Sequence, residues 1–125
     1  MIFFYCIFQA MLHQVTFEVD TEWYRKIEDC KKRIEGRKGT LKYQRVQIFD
    51  MAKIVDAANH NNFFFKRVIG IKRYPDLRQY LEQEGLRQAL PGVMTIEEGI
   101  EVYLNFWTFE EVEEFGILAF ELGEI

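Results

Sequence analysis

The sequence predicts an α+β domain: a strongly bent antiparallel sheet or small β-barrel flanked by helices. Three observations lead there. Apolar residues alternate with polar ones in the first half, as in half-buried strands. Helix-start signatures concentrate in the last third. One further apolar run closes the chain. The predicted order is β-α-β-β-β-β-α-α-α-β.

Val15, Phe17 and Val19 alternate with polar residues, which gives a first strand over Val15–Val19. Asp20 or Thr21 then caps a helix reaching about Cys30, with Trp23, Ile27 and Cys30 on one face. A second strand is read at Arg33–Lys38, with Arg33, Glu35 and Arg37 on one side and Gly36 and Gly39 allowing a bend or bulge. Gln44–Phe49 and Ala52–Ala58 read as two strands around Asp50, and Asn59–Asn62 as a turn. Phe63–Ile71 follows as a strand on its Phe, Val and Ile content.

Pro75 suits a first helical turn, Leu77, Tyr80 and Leu81 form the buried stripe, Gly85 interrupts it and Leu90-Pro91-Gly92 closes it. Thr95 with Glu98 opens a helix carrying Ile96, Ile100, Tyr103 and Leu104, and Thr108 with Glu111 opens a shorter one. Gly116–Leu122 is the final strand.

The chain has 125 residues, enough for one domain (expected over 14–125) preceded by an N-terminal extension over 1–13. Residues 1–10 are apolar, lack the basic start of a secretion signal and are too short to span a bilayer. No membrane partner is expected. Cys6 and Cys30, with His13 and His60, stand at no zinc-ligand spacing, so neither metal, cofactor nor disulfide framework is expected. A reducing intracellular compartment, cytoplasm or nucleus, is the default.

The net charge of −4 is unevenly spread: Arg25–Arg45 holds nine Lys/Arg against three Asp/Glu, while Glu97–Ile125 holds nine Glu and no Lys or Arg. A local basic segment can attract a polyanion despite the acidic whole.

Chemistry concentrates in Lys31–Lys38. Lys32, Arg33 and Arg37 suit phosphate or carbonyl oxygens, and Glu35 suits a base edge or sugar hydroxyl. A regular strand would send Lys32 and Glu35 to opposite faces, so both reach one cleft if Lys32 precedes the strand or if Gly36 marks a bulge. Tyr43 and Tyr103 are candidate stacking residues, since rings interleaved with cations suit single-stranded nucleic acid. Tyr103 and Trp107, at helical spacing, also fit a core role. The chain has no Ser, no Gly-rich phosphate loop and no spacing that ties Cys30 to a histidine.

The segment Cys30-Lys31-Lys32-Arg33-Ile34-Glu35-Gly36-Arg37 resembles the Gly-x-Lys-Thr-x-Glu-x-Arg motif of the ASCH family, the activating signal cointegrator homology domain. Lys32, Glu35 and Arg37 match, while Cys30 replaces the Gly and Arg33 the Thr. The Tyr74–Leu77 segment, the run EGLRQALPGVMTIEEGIEVYLNFW and Glu114–Ala119 are similar to further elements of small ASCH proteins, over about residues 14–122. Lys42-Tyr43-Gln44-Arg45 departs from the family's usual Gly-Asp turn.

The resemblance implies a PUA-like β-barrel with a cleft lined by the motif Lys, Glu and Arg, and RNA or a modified nucleotide as ligand. Some relatives are acetylcytidine amidohydrolases and others are described as ribonucleases. The first expectation is therefore an RNA- or modified-nucleotide-binding module. The second is a small hydrolase with Lys32 as base or charge stabiliser and Glu35 as its proton partner. The third is a protein-interaction adaptor whose acidic, aromatic Glu97–Glu114 stretch docks a basic partner.

Overall fold

The computed structural model describes residues 13–125, and the expected extension lies almost wholly outside them. Five strands and six helices follow: β1 (Gln14–Val19), α1 (Thr21–Glu28), β2 (Ile34–Lys38), α2 (Leu41–Gln44), β3 (Met51–Asp56), β4 (Asn59–Tyr74), α3 (Leu77–Glu84), α4 (Leu86–Ala89), α5 (Ile96–Leu104), α6 (Phe109–Phe115) and β5 (Ile117–Gly123). One sheet has the order β1-β3-β4-β5-β2. It curls into a half-barrel, and α+β is the class observed. The β1–β3 pair is parallel and the other three pairs are antiparallel.

The alternation in β1 does what its period requires: Val15, Phe17 and Val19 are buried and the residues between them are exposed. They meet Ile54, Val68 and Phe120 inside the curl, closed by Tyr24 and Ile27 of α1. Full burial of a ring such as Phe17 contributes about 1.5–3 kcal/mol. A second cluster lies on the outside of β2 and β5, where Ile34, Ile117 and Ala119 pack against Tyr80, Leu81 and Tyr103 of the C-terminal helices. Trp23 packs against both clusters and so stands at their junction.

Four local expectations are corrected. Gln44–Phe49 is not a strand. After α2 the Asp50 carboxylate accepts the Gln47 N–H at 2.9 Å and Phe49 takes φ 76°, so a side-chain hydrogen bond displaces a ladder there. Asn59–Asn62 is not a turn but the start of β4; the reversal occurs at Ala57-Ala58, where Asp56 accepts the Ala58 N–H at 2.9 Å. Pro75 lies before the helix, and Asp76 caps α3 by accepting the Gln79 N–H at 2.8 Å. Gly36 is not a bulge, because the β2–β5 register runs unbroken through it. The register shifts instead in β4 between Val68 and Gly70, and again at the end of β3 between Val55 and Asp56. The Thr108–Glu111 capping box forms in full.

Candidate functional site

α1 ends at Glu28, and Cys30 turns the chain back through the left-handed region at φ 62°. Lys32 thus precedes β2, which begins at Ile34, and its side chain shares a cleft with that of Glu35. The Lys32 ammonium donates to the Ile34 carbonyl at 2.5 Å and the Ala89 carbonyl at 2.5 Å, and lies 3.4 Å from Glu35 Oε1. Its three N–H groups therefore have three partners. The Lys32 side chain is 2% exposed and that of Glu35 9%. Burial pushes the Lys32 pKa below the usual lysine range, and the Glu35 carboxylate pulls it back up.

Arg37, two residues along the strand, shares the Glu35 face. Its Nε and Nη2 reach Glu35 Oε2 at 2.9 Å, and Nη2 also donates to the Glu18 carbonyl at 2.9 Å. Burial opposes the Arg37 charge, but Glu35 outweighs it and the pKa moves up. One carboxylate is thus held between two cations. The row forms one wall of a cleft of about 160 Å³ whose other walls are Trp23, Tyr103, Phe106 and Trp107. Tyr103 and Trp107 stack at 5.2 Å with 29° between their planes.

Gly36 makes the cleft wall possible. A Cβ there would lie 2.5 Å from Tyr80 Oη, so the missing side chain lets the Tyr80 ring close on the strand. Tyr80 and Tyr103 share a hydrogen bond of 2.7 Å between hydroxyls. Burial raises both phenols' pKa values above the ordinary tyrosine range.

Of the sequence-predicted residues, Lys32, Glu35, Arg37 and Tyr103 line this cleft. Tyr43 stacks on Phe17 at 5.9 Å, and Arg37 Nη1 reaches its hydroxyl at 3.5 Å, but it does not line the cleft. Arg33 lies elsewhere, on a second cavity of about 140 Å³ with Cys30, Lys66 and Glu124. There Lys66 donates to Glu124 at 2.6 Å and to Cys30 Sγ at 3.3 Å. Cys30 is exposed rather than part of the α1 face, and the histidines lie apart from it: His13 is 4.0 Å from Asp50 and His60 is 3.1 Å from Glu18. Among the described residues, no group of three His, Cys, Asp or Glu side chains could hold a metal ion, and no helix is long and apolar enough to cross a membrane.

Sequence reasoning missed Trp23 and Phe106 as cleft residues. Phe106 follows the α5 C-cap Asn105 and is 61% exposed, a large ring outside the buried stripe. That exposure is invisible in a helical period, which simply continues through it.

No protein-family model matches the chain, and no curated protein matches it. Solved structures do. Hypothetical protein PH0355 is 30% identical with a TM-score of 0.81, over 90% of this chain and 99% of that one. Protein PF0455 from Pyrococcus furiosus is 33% identical with a TM-score of 0.71, over 88% of this chain and 96% of that one. ASCH from Zymomonas mobilis shares the fold, with 16% identity and a TM-score of 0.61 over 89% of this chain and 67% of that one.

Proposed function

This chain belongs to the family of PH0355 and PF0455 and has the ASCH fold, and from that premise we propose that its cleft binds a base of single-stranded RNA or a modified nucleotide. The observation that carries the reading is a buried carboxylate, Glu35, held between Lys32 and Arg37 and facing aromatic walls. A nucleobase needs both parts: a flat apolar surface to stack on and edge partners of defined polarity. Glu35 accepts from a base N–H, and Arg37 donates to a neighbouring carbonyl oxygen. Lys32 acts as a positioning residue, because its donors are spent on two carbonyls and Glu35. The binding surface is Glu35, Arg37, Trp23, Tyr103, Phe106 and Trp107.

A hydrolase is the second reading, and burial moves the Lys32 pKa downward, the direction that a lysine base requires.

Fluorescence anisotropy of a labelled short single-stranded RNA, at low and physiological salt, tests the reading. Wild type binds, and binding weakens as salt rises. Glu35→Gln and Trp107→Ala each weaken it about tenfold or more through the lost charged acceptor or stacking face. Wild type without affinity for RNA or free nucleosides overturns the proposal. RNA shortened by wild type but intact with Lys32→Met supports the hydrolase instead.

A further inference from the structure

The outer face of the half-barrel differs from the rest of the surface. At the β5–β2 end helices cover it, as Ile117 and Ala119 in the second apolar cluster show. Over β3 and β4 it carries Met51, Lys53 and Val55 paired with Arg67, Phe65 and Phe63 respectively. Phe63 is 44% and Phe65 39% exposed, and their rings lie side by side at 5.9 Å. Lys53 Nζ sits 4.4 Å from the centre of the Phe63 ring. Arg67 continues the same row and donates to the Phe49 carbonyl at 2.9 Å.

Ordinary strand faces left to water carry polar side chains, and two adjacent exposed rings there mark a contact surface. The charge on this patch is positive. Neither β3 nor β4 places an acid among these residues. The acids beside it are Glu18 on β1, 3.1 Å from His60, and Glu121 on β5, opposite Gly70. The patch also adjoins the cleft: Glu18 and Val19, at the end of β1, line the cleft, and Glu18 pairs with Val55 in the row that ends at Phe63.

We propose that this face is a second contact surface for single-stranded RNA, with Phe63 and Phe65 stacking two bases and Lys53 and Arg67 meeting phosphates beside them. The inference rests on the cleft reading above, since it takes the same strand onward past the end of β1. Exposed rings on a sheet with Lys53 and Arg67 in the same row suit a sequence-tolerant single-strand platform, and the nearest acids, Glu18 and Glu121, stand on the neighbouring strands.

The test uses the full chain and two probes. A labelled 12-nucleotide oligouridine RNA reports the whole path by anisotropy. Free uridine or cytidine reports the cleft alone through tryptophan fluorescence, because both tryptophans, Trp23 and Trp107, line it. Phe63→Ala/Phe65→Ala is expected to weaken the 12-mer about tenfold or more while nucleoside quenching stays unchanged. Lys53→Gln, which removes no ring, is expected to flatten the salt dependence by about one phosphate. Circular dichroism confirms folding of each variant. Unchanged 12-mer affinity in the double variant overturns the inference and leaves the cleft reading standing. Loss of nucleoside quenching in wild type, with the 12-mer still dependent on Phe63 and Phe65, overturns the cleft reading and leaves this one. A dimer that the double variant dissolves, with no change in RNA affinity, overturns the second surface in favour of another copy of the chain.

Discussion

Two buried lysines, Lys32 before β2 and Lys66 on β4, are held differently. Lys32 lies at the cleft, with two backbone carbonyls and the buried Glu35 as partners. Lys66 lies at the second cavity, with Cys30 and a Glu124 whose side chain is 72% exposed. In the second cavity the acid keeps most of its water, so loss of Lys66 leaves no buried carboxylate behind. In the cleft neither partner has water to fall back on. The difference separates a surface latch from a preorganised site: only the cleft holds its carboxylate in place before a ligand arrives, and only the cleft faces rings.

The largest effect should follow from removing the acid of the cleft. Glu35→Ala leaves Lys32 and Arg37 with an uncompensated buried charge and is expected to lower unfolding stability by about 3–5 kcal/mol, measured by urea denaturation. Equal loss from Lys66→Met would erase the distinction between the two sites.

Gly36→Ala should come next. Its Cβ meets the Tyr80 ring at 2.5–2.7 Å, and overpacking of this kind costs about 1–3 kcal/mol. Because Tyr80 holds Tyr103, the same variant should also weaken nucleoside quenching. Stability lost with quenching intact would detach the cleft wall from the strand.

Lys66→Met should cost about 1 kcal/mol or less, since Glu124 returns to solvent. The two lysines also differ in the sign of their pH dependence. Burial lowers the Lys32 pKa, so the unfolded chain binds that proton more tightly, and stability rises with pH up to the unfolded value of 10.5. Burial works against the Lys66 charge as well, but its hydrogen bonds to Glu124 and Cys30 prevail and raise the pKa. Its contribution is present below 10.5 and is lost as pH climbs through the raised folded value. Urea midpoints between about pH 9 and 11 should rise less steeply in Lys32→Met and fall less in Lys66→Met than in wild type.

Cys30→Gly is the smallest change. Cys30 occupies φ 62°, where the ASCH motif has Gly, and removing the side chain should raise stability by up to about 1 kcal/mol, less whatever its sulfur contacts with Lys66 and Glu124 contribute. A loss would give those contacts more weight than the backbone strain.

These residues also show what a one-dimensional pattern can carry. β1 was legible because Val15, Phe17 and Val19 have one buried face and one wet face. Gln44–Phe49 has a similar apolar rhythm, but the Asp50 carboxylate takes a backbone N–H that a ladder would need. The row Lys32, Glu35 and Arg37 was legible from charge and from motif spacing. The other half of its geometry was not: the Ala89 carbonyl that holds Lys32 lies 57 residues away along the chain. Trp23 looked like helix core because it does pack on both clusters, and only the junction of those clusters exposes one part of it to the cleft. Gly36 signalled a special backbone position, yet the reason was a ring from α3 rather than a bulge.

RNA binding in the cleft is read most directly from the nitrogen-correlated proton NMR spectrum of the labelled protein during titration with a short single-stranded RNA. Trp23 and Trp107 supply the only two indole N–H signals, and both side chains line the cleft. Both signals should shift and saturate together with the Glu35 and Arg37 backbone amides. Saturable RNA binding that leaves both indole signals in place would contradict binding in the cleft.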